Sequence, residues 1–231
     1  MINQELIDFA NFLADISGDI ARKYFRSQIT GEIEKEDNSP VTKADQEIEA
    51  LIRKEIEKKY PNHGIIGEEY GNKNIEAEYV WILDPIDGTS SFIIGRPIFG
   101  TLIALTKNKK PILGILNQPI INERWVGIEG QASFFNGARI KSRACEEISD
   151  AVMCASSSFY FKNEDAKMFE ELCKLTKYQK LGGVIYGGDC YSYASIASGN
   201  IDIVIDPGLQ VYDYAALMPI IENAGGIITD W

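Results

Sequence analysis

The sequence predicts an α/β (α+β) fold, and three features predict it. The first sixty residues hold two stretches with apolar residues at helical spacing. The middle holds six short apolar runs separated by Gly, Pro or Asn-Gly turns. After about residue 140, strand-like and helix-like segments alternate. That change of texture divides the chain into an N-terminal α+β domain, 1–140, and a C-terminal α/β domain, 141–231.

In order, Leu6, Phe9, Leu13, Ile16, Ile20 and Tyr24 form one apolar stripe, so the chain opens on an amphipathic helix. The charged stretch TGEIEKEDNSP, 30–40, reads as a mobile loop. A second helix is predicted over about 43–59, with Ile48, Leu51, Ile52 and Ile56 on one face and Tyr60-Pro61-Asn62 as its stop. Glu49/Arg53 and Glu55/Lys59 fall at i,i+4 and read as ion pairs on its solvent side. Runs at 64–67, 79–83, 99–107, 111–118, 123–128 and 132–135 predict an antiparallel meander packed on these helices. Beyond 140 come a strand (151–155), helices (about 164–177 and 190–198), a strand (201–205), a helix (213–224) and a strand (226–230). Gly225 is suited to a left-handed helix cap. The chain stops in strand-like texture at Trp231, which reads as a missing C-terminal segment.

With 231 residues, 45% of them hydrophobic, the chain buries a sizeable core. Its net charge of −11 and scattered basic residues argue against a nucleic-acid surface or an anionic membrane patch. The densest basic group, Lys107, Lys109 and Lys110, reads as a solvated hairpin tip. An acidic protein still handles an anionic substrate if bound cations reverse the local sign. Four cysteines without a CxxC pair read as reduced thiols. The N-terminus does not look like a signal peptide, and no apolar run approaches the roughly 18 residues of a membrane span. A soluble, cytoplasmic protein is the expectation.

The stretch WILDPIDGTSSF, 81–92, places Asp84 and Asp87 directly behind an apolar strand. Two like charges at a buried strand end are costly unless something positive sits between them. Either they shape a turn and cap a helix, or they hold a cation such as Mg²⁺, which takes carboxylate and carbonyl oxygens. The Ile86 carbonyl, between the acids, is a further oxygen, and Gly88-Thr89-Ser90 offers amides and hydroxyls to a phosphate if a helix starts there. Glu68, in Gly67-Glu68-Glu69, ends a neighbouring apolar run and is a candidate third ligand, or part of a solvated turn. Asp213 opens an apolar helix as an N-cap, a ligand or both. Asp45, three residues after Thr42, matches a capping box. Motifs for a covalent nucleophile are absent. None of the four cysteines starts a Cys-x5-Arg motif, the strand-end acids are spaced DxxD rather than DxD, and His63 is the only histidine, read as a loop or strand-start residue.

Together, Gly-Glu-Glu, then DPIDGT about sixteen residues on, then Tyr212-Asp213-Tyr214-Ala215-Ala216 with a following Ala-Gly-Gly resemble the inositol monophosphatase family. The resemblance covers Asp45 to Trp231. It implies a layered α/β/α/β/α sandwich of the inositol monophosphatase/fructose-1,6-bisphosphatase type, Mg²⁺ dependence with two or three ions, lithium sensitivity and a homodimer. By matching position, Glu68, Asp84, the Ile86 carbonyl, Asp87 and Asp213 would hold the ions. Asp87, Gly88, Thr89 and Ser90 would face the phosphate, and Asp45, Thr89 and Glu68 would serve the attacking water. The reaction implied is hydrolysis of a small phosphate monoester by metal-activated water. The N-terminal part then carries most ligands, and the C-terminal part supplies Asp213 and the substrate pocket.

The segment YGGDCYSYASIASGNIDIVID, 186–206, with SFIIGRPIFGTLIAL and QPIINERWVG, resembles the histidinol-phosphatase branch of that family. Asp189, Asp206 and Tyr191 would then lie on the leaving-group side, where two acids and an aromatic ring suit a cation. For Asp189, an N-cap of the 190–198 helix is the competing reading. The branch often carries arginine where this chain has Ile185. An inositol-1-phosphate or broad-specificity phosphatase is the alternative substrate reading, and a regulatory or binding protein of the same fold is the alternative class.

Overall fold

The structure is a computed structural model that describes residues 2–27, 33–34, 40–178, 180 and 182–230. The charged stretch expected to be a mobile loop lies mostly outside the described residues; within it, β1 (Ile33–Glu34) pairs antiparallel with β2 (Pro40–Val41). Helices α1 (Gln4–Tyr24) and α2 (Lys43–Lys59) form where the periodicity places them, α1 capped by Asn3 and α2 by Thr42.

The centre is one mixed sheet built from β3 (Gly64–Gly67), β4 (Gly71–Lys73), β5 (Tyr79–Asp87), β6 (Gly100–Lys107), β7 (Lys110–Gln118), β8 (Glu123–Ile128), β9 (Ser133–Phe135) and β10 (Ala138–Ile140), in the order β10-β9-β8-β7-β6-β5-β3-β4. It differs from the expected antiparallel meander in one pair, because β3 runs parallel to β5. It also differs in being covered on both faces. Trp81, Leu83, Ile103, Leu105, Leu113 and Ile115 pack under α1 and α2. Ile82, Leu102, Ala104 and Leu116 pack against helices from the C-terminal part. Two covered faces explain why these strands read as continuous apolar runs rather than alternating ones. At the β6–β7 tip, Asn108 and Lys109 both take positive φ, and Lys107, Lys109 and Lys110 pair with Glu78, Glu76 and Glu129.

The other elements are α3 (Thr89–Ile93), β11 (Met153–Ala155), α4 (Asn163–Leu175), β12 (Ile185–Tyr186), α5 (Asp189–Ala197), β13 (Ile203–Val204), α6 (Val211–Tyr214) and α7 (Leu217–Glu222). A small parallel sheet, β12-β11-β13, lies beyond α5, and α4 covers its far side through Phe169. The layers therefore run α1/α2, large sheet, α5/α7, small sheet, α4, which is the α/β/α/β/α order.

Two C-terminal expectations are corrected. The helix over 213–224 is two helices: the backbone stays helical through Ala215 and Ala216, but Pro219 has no N–H to continue the ladder and sits in the first turn of a new helix. No strand forms over 226–230, where Ile227 is 85% exposed and the Gly226 N–H turns back to the Ile221 carbonyl. Gly225 does take the left-handed conformation, φ 93°. No helix among the described residues is long and apolar enough to cross a membrane.

Candidate metal centre and active site

In a regular strand, residues three apart point to opposite faces, so Asp84 and Asp87 would diverge. Between them the β5–β6 register slips: Asp84 faces Leu102 and Asp87 faces Gly100, three steps against two. This one-residue bulge cancels the mismatch and turns both carboxylates the same way. The Thr101 hydroxyl holds the bulge by donating to the Pro85 carbonyl at 2.8 Å, and Ile86 anchors it in the core beneath α1 and α2.

Asp213, at the C-terminal end of α6's first turn, joins them. Carboxylate oxygens of Asp84, Asp87 and Asp213 lie within 4.8 Å of one another. Glu68 falls outside that triple, yet it is near enough for its charge to act on Asp84, Asp213 and Asp45. Its backbone N–H meets the Leu83 carbonyl at 3.3 Å, one residue before Asp84.

These carboxylates are positioned by holding one oxygen. Asp87 Oδ2 accepts from the Cys190 N–H at 2.6 Å, and Asp213 Oδ2 from the Gln210 N–H at 2.6 Å. Asp45 Oδ2 accepts from the Thr42 N–H at 2.8 Å and from its hydroxyl at 2.5 Å, completing the expected capping box. Two oxygens are left over: Asp45 Oδ1 and Asp84 Oδ1 are buried without a hydrogen-bond partner, on residues only 1% and 2% exposed.

An orphaned buried carboxylate oxygen is costly, and here burial and like charges reinforce each other. Burial raises Asp84 well above the usual aspartate range, and Glu68, Asp87, Asp213 and Asp45 push it further. Burial and Asp189 raise Asp87 against the pull of the Cys190 bond. Asp213 rises to about 6, through burial opposed by the Gln210 N–H, and Asp45 to about 7, through burial opposed by its Thr42 bonds. Among the described residues, no Lys or Arg is a leading cause of these shifts. An all-oxygen set with unspent acceptors and uncompensated charge fits a hard divalent cation such as Mg²⁺.

Gly88 follows Asp87 in the left-handed conformation, φ 87°, and starts α3. A Cβ there would lie 3.0 Å from Asp189 Oδ2 and 3.3 Å from the Ile98 carbonyl, so only glycine fits. No side chain caps α3, which leaves the first-turn N–H groups of Thr89 and Ser90 to other acceptors. The Thr89 hydroxyl donates to the Ile86 carbonyl at 3.0 Å.

Asp189 is not the N-cap of α5. Gly188 holds that position, and Asp189 is the first helical residue, at φ 38°, with its carboxylate beside Gly88 and near enough to the Ser156 side chain to be drawn down by it against burial. Asp206 accepts from the Ser156 N–H at 2.6 Å and from its hydroxyl at 3.0 Å, and lies near enough to Asp189 for the two charges to act on each other. Burial is the main cause that raises both. Tyr191 is not brought to them. Two residues along a helix is about half a turn, and its hydroxyl instead donates to Glu123 at 2.7 Å while its ring packs edge-on against Trp125.

His63 is held in an aromatic stack with Tyr60 and Tyr79, its Nδ1 accepting from Trp81 Nε1 at 3.1 Å. All four cysteines are free, and the Cys190 thiol is buried against Asp87. The sequence did not single out Ser156, and it misplaced Glu49. That carboxylate is fully buried and accepts from the Glu69 and Tyr70 N–H groups, so the pair with Arg53 does not sit on the wet side. The Glu55/Lys59 pair does not form; Glu55 meets Lys58 and Lys59 meets Glu5.

A layered α/β chain with a cation-seeking carboxylate cluster beside an uncapped helix start is the architecture of a metal-dependent phosphatase class. The chain belongs to the inositol monophosphatase family, whose model matches residues 2–231. It is 48% identical to the chloroplastic bifunctional phosphatase IMPL2 of Arabidopsis thaliana, over 96% of this chain and 63% of that protein. It is 33% identical to the histidinol-phosphatase of Chlorobaculum parvum, over 95% of this chain and 83% of the relative. Among solved structures, an inositol monophosphatase from Zymomonas mobilis aligns with TM-score 0.87 at 42% identity, covering 99% of this chain and 86% of that one.

Proposed function

We propose that the chain hydrolyses a small phosphate monoester with Mg²⁺, two or three ions, held by Glu68, Asp84, Asp87, Asp213 and the Ile86 carbonyl. The observation that carries the reading is the convergence of three aspartates within 4.8 Å, one of them with a buried oxygen that has no partner. The family is Mg²⁺-dependent in general.

Monoester hydrolysis is slow because the phosphate's own oxygens repel a nucleophile, and the site must lower the barrier by on the order of 20 kcal/mol. Bound Mg²⁺ supplies the positive charge that offsets those oxygens and acidifies water. The chain's own residues do the rest. The N–H groups of Gly88, Thr89 and Ser90, with Asp87 beside them, receive and orient the phosphate. Asp45, with a free Oδ1 and its Oδ2 fixed by Thr42, suits the acceptance of a proton from the attacking water. Thr89, whose hydroxyl proton is spent on the Ile86 carbonyl, turns oxygen lone pairs toward that water.

For the substrate we favour histidinol phosphate, which carries an ammonium and an imidazole. Asp206, held by Ser156, and Asp189, close to both Asp206 and Asp87, offer two acids to such a cation, without help from Tyr191. The likeness to named histidinol-phosphatases supports the same reading. Inositol 1-phosphate is the second reading, favoured by the likeness to the Zymomonas mobilis structure. Lithium inhibition, a homodimer, a cytoplasmic location and the division at residue 140 belong to the same proposal. The test is phosphate release from L-histidinol phosphate and inositol 1-phosphate side by side, with Mg²⁺ and with or without Li⁺. Preference for inositol 1-phosphate overturns the substrate, and no release from either by folded protein overturns the activity.

A further inference from the structure

Glu49 is fully buried, lies outside the carboxylate cluster, and is surrounded by donors. Its Oε2 accepts from the Glu69 N–H at 2.7 Å, and its Oε1 accepts from the Tyr70 N–H at 3.1 Å and from Arg53 Nε at 2.7 Å. Arg53 goes on to the Gly71 carbonyl. Gly67 makes room for this arrangement, since a Cβ there would lie 2.1 Å from Glu49 Oε1 and 2.7 Å from Arg53 Nη2. A carboxylate withdrawn from water is destabilising unless its partners are well placed, and breaking such a set leaves an uncompensated charge. Exposed glutamates elsewhere on α2 stabilise a helix at far smaller cost. What Glu49 holds is the turn between β3 and β4, at the edge of the sheet, where little other packing fixes the backbone.

Glu68 sits in that turn, between Gly67, which admits the carboxylate, and Glu69, whose N–H the carboxylate holds. On its other side the Glu68 N–H is bound to Leu83, next to Asp84. We propose that Glu49 is a positioning residue that fixes the Gly67–Tyr70 backbone and thereby aims Glu68 at the ions shared with Asp84, Asp87 and Asp213. The inference rests on the metal-dependent reading above. It assigns Glu49 no contact with ion or substrate.

The test titrates Mn²⁺ into metal-free protein, with bound and free ion separated by electron paramagnetic resonance, alongside amide exchange at Glu69 and Tyr70. In Glu49→Gln a donor NH₂ must face N–H donors. Expected are faster exchange at both amides and Mn²⁺ affinity weakened about 10- to 100-fold, the usual scale for residues that orient a metal ligand. Because Glu49 acts through Glu68, the double variant Glu49→Gln/Glu68→Gln should bind no more weakly than Glu68→Gln alone. Glu47→Gln, an exposed glutamate on the same helix, should bind as wild type. Wild-type affinity in a folded Glu49→Gln protein, or losses that multiply in the double variant, overturns the inference. If Glu49→Gln does not fold, Arg53→Lys decides by the same comparison, because lysine cannot span both Glu49 and Gly71. Wild-type protein that binds no Mn²⁺ and releases no phosphate would instead overturn the proposed function.

Discussion

Gly114→Ala tests whether the packing of α7 sets the position of Asp213. Gly114 is on β7, beneath the turn joining α6 to α7. A Cβ there would lie 1.9 Å from the Ala216 carbonyl oxygen, 2.7 Å from its carbon and 2.9 Å from Pro219. Ordinary contact begins near 3.4 Å, so the α6–α7 turn must retreat by about 1.5 Å. The obstacle is backbone rather than the end of a flexible side chain, and no rotamer change relieves it. Overpacking of this kind costs about 2 kcal/mol, which lowers Tm by about 4–8 °C in a chain of this size. Ala216 is three residues from Asp213, whose carboxylate must stay with Asp84 and Asp87. A displacement of about 1 Å at a reacting centre costs about 100-fold in rate. The assays are a thermal melt and kcat against Mg²⁺ concentration. Gly127→Ala, whose Cβ would lie 2.3 Å from the Ile220 nitrogen, should behave alike. A Gly114→Ala protein with wild-type Tm and wild-type Mg²⁺ dependence would show that the packing of α7 does not place Asp213.

Three further outcomes are expected. Burial holds Asp45 at about 7 and Asp213 at about 6 in the ion-free protein, above the ~3.9 of an unfolded aspartate. Stability from such raised groups is fully present below the unfolded value and is lost as pH rises through the folded ones. Melts in EDTA should therefore give a lower Tm at pH 8 than at pH 5, with Mg²⁺ closing the gap; a flat profile contradicts this. Thr101→Val removes the donor that holds the bulge at Pro85 and should weaken Mn²⁺ binding, at a stability cost of about 1 kcal/mol, read by titration and denaturant unfolding. Ser156→Ala loosens Asp206 and should raise KM for histidinol phosphate more than it lowers kcat; an unchanged KM removes Ser156 from the substrate side.

The sequence made the first two helices and the central strands legible because each buries a regular apolar pattern: α2 begins and ends where Thr42 and Tyr60 place it. It concealed what depends on distant partners. The continuous apolar run of β5 is the mark of a strand covered on both faces but does not say which helices form the second layer, and nothing before Pro85 announces a register slip against β6. The break at Pro219 was legible in principle, but the apolar residues around it continue a helical period. Glu49 and Arg53 carry the spacing of a surface pair, and only the close approach of Gly67 shows otherwise. The neighbouring acids of the site were legible as types at strand ends. Their convergence was not, because it depends on the bulge at 84–87 and on the turn that carries Asp213. Tyr191 lies about half a turn from Asp189 along α5, and its hydroxyl bond to Glu123 depends on a partner far away in the chain.

The central claim is tested most directly by counting divalent ions bound to the folded protein, with calorimetric titration of Mg²⁺ into wild type and Asp84→Asn. Wild type is expected to bind two or three ions and to hydrolyse phosphate monoesters only with them, and Asp84→Asn, still folded, to lose at least one ion and nearly all turnover. A folded wild-type protein that binds none, or an Asp84→Asn protein that binds and turns over as wild type does, would contradict that claim.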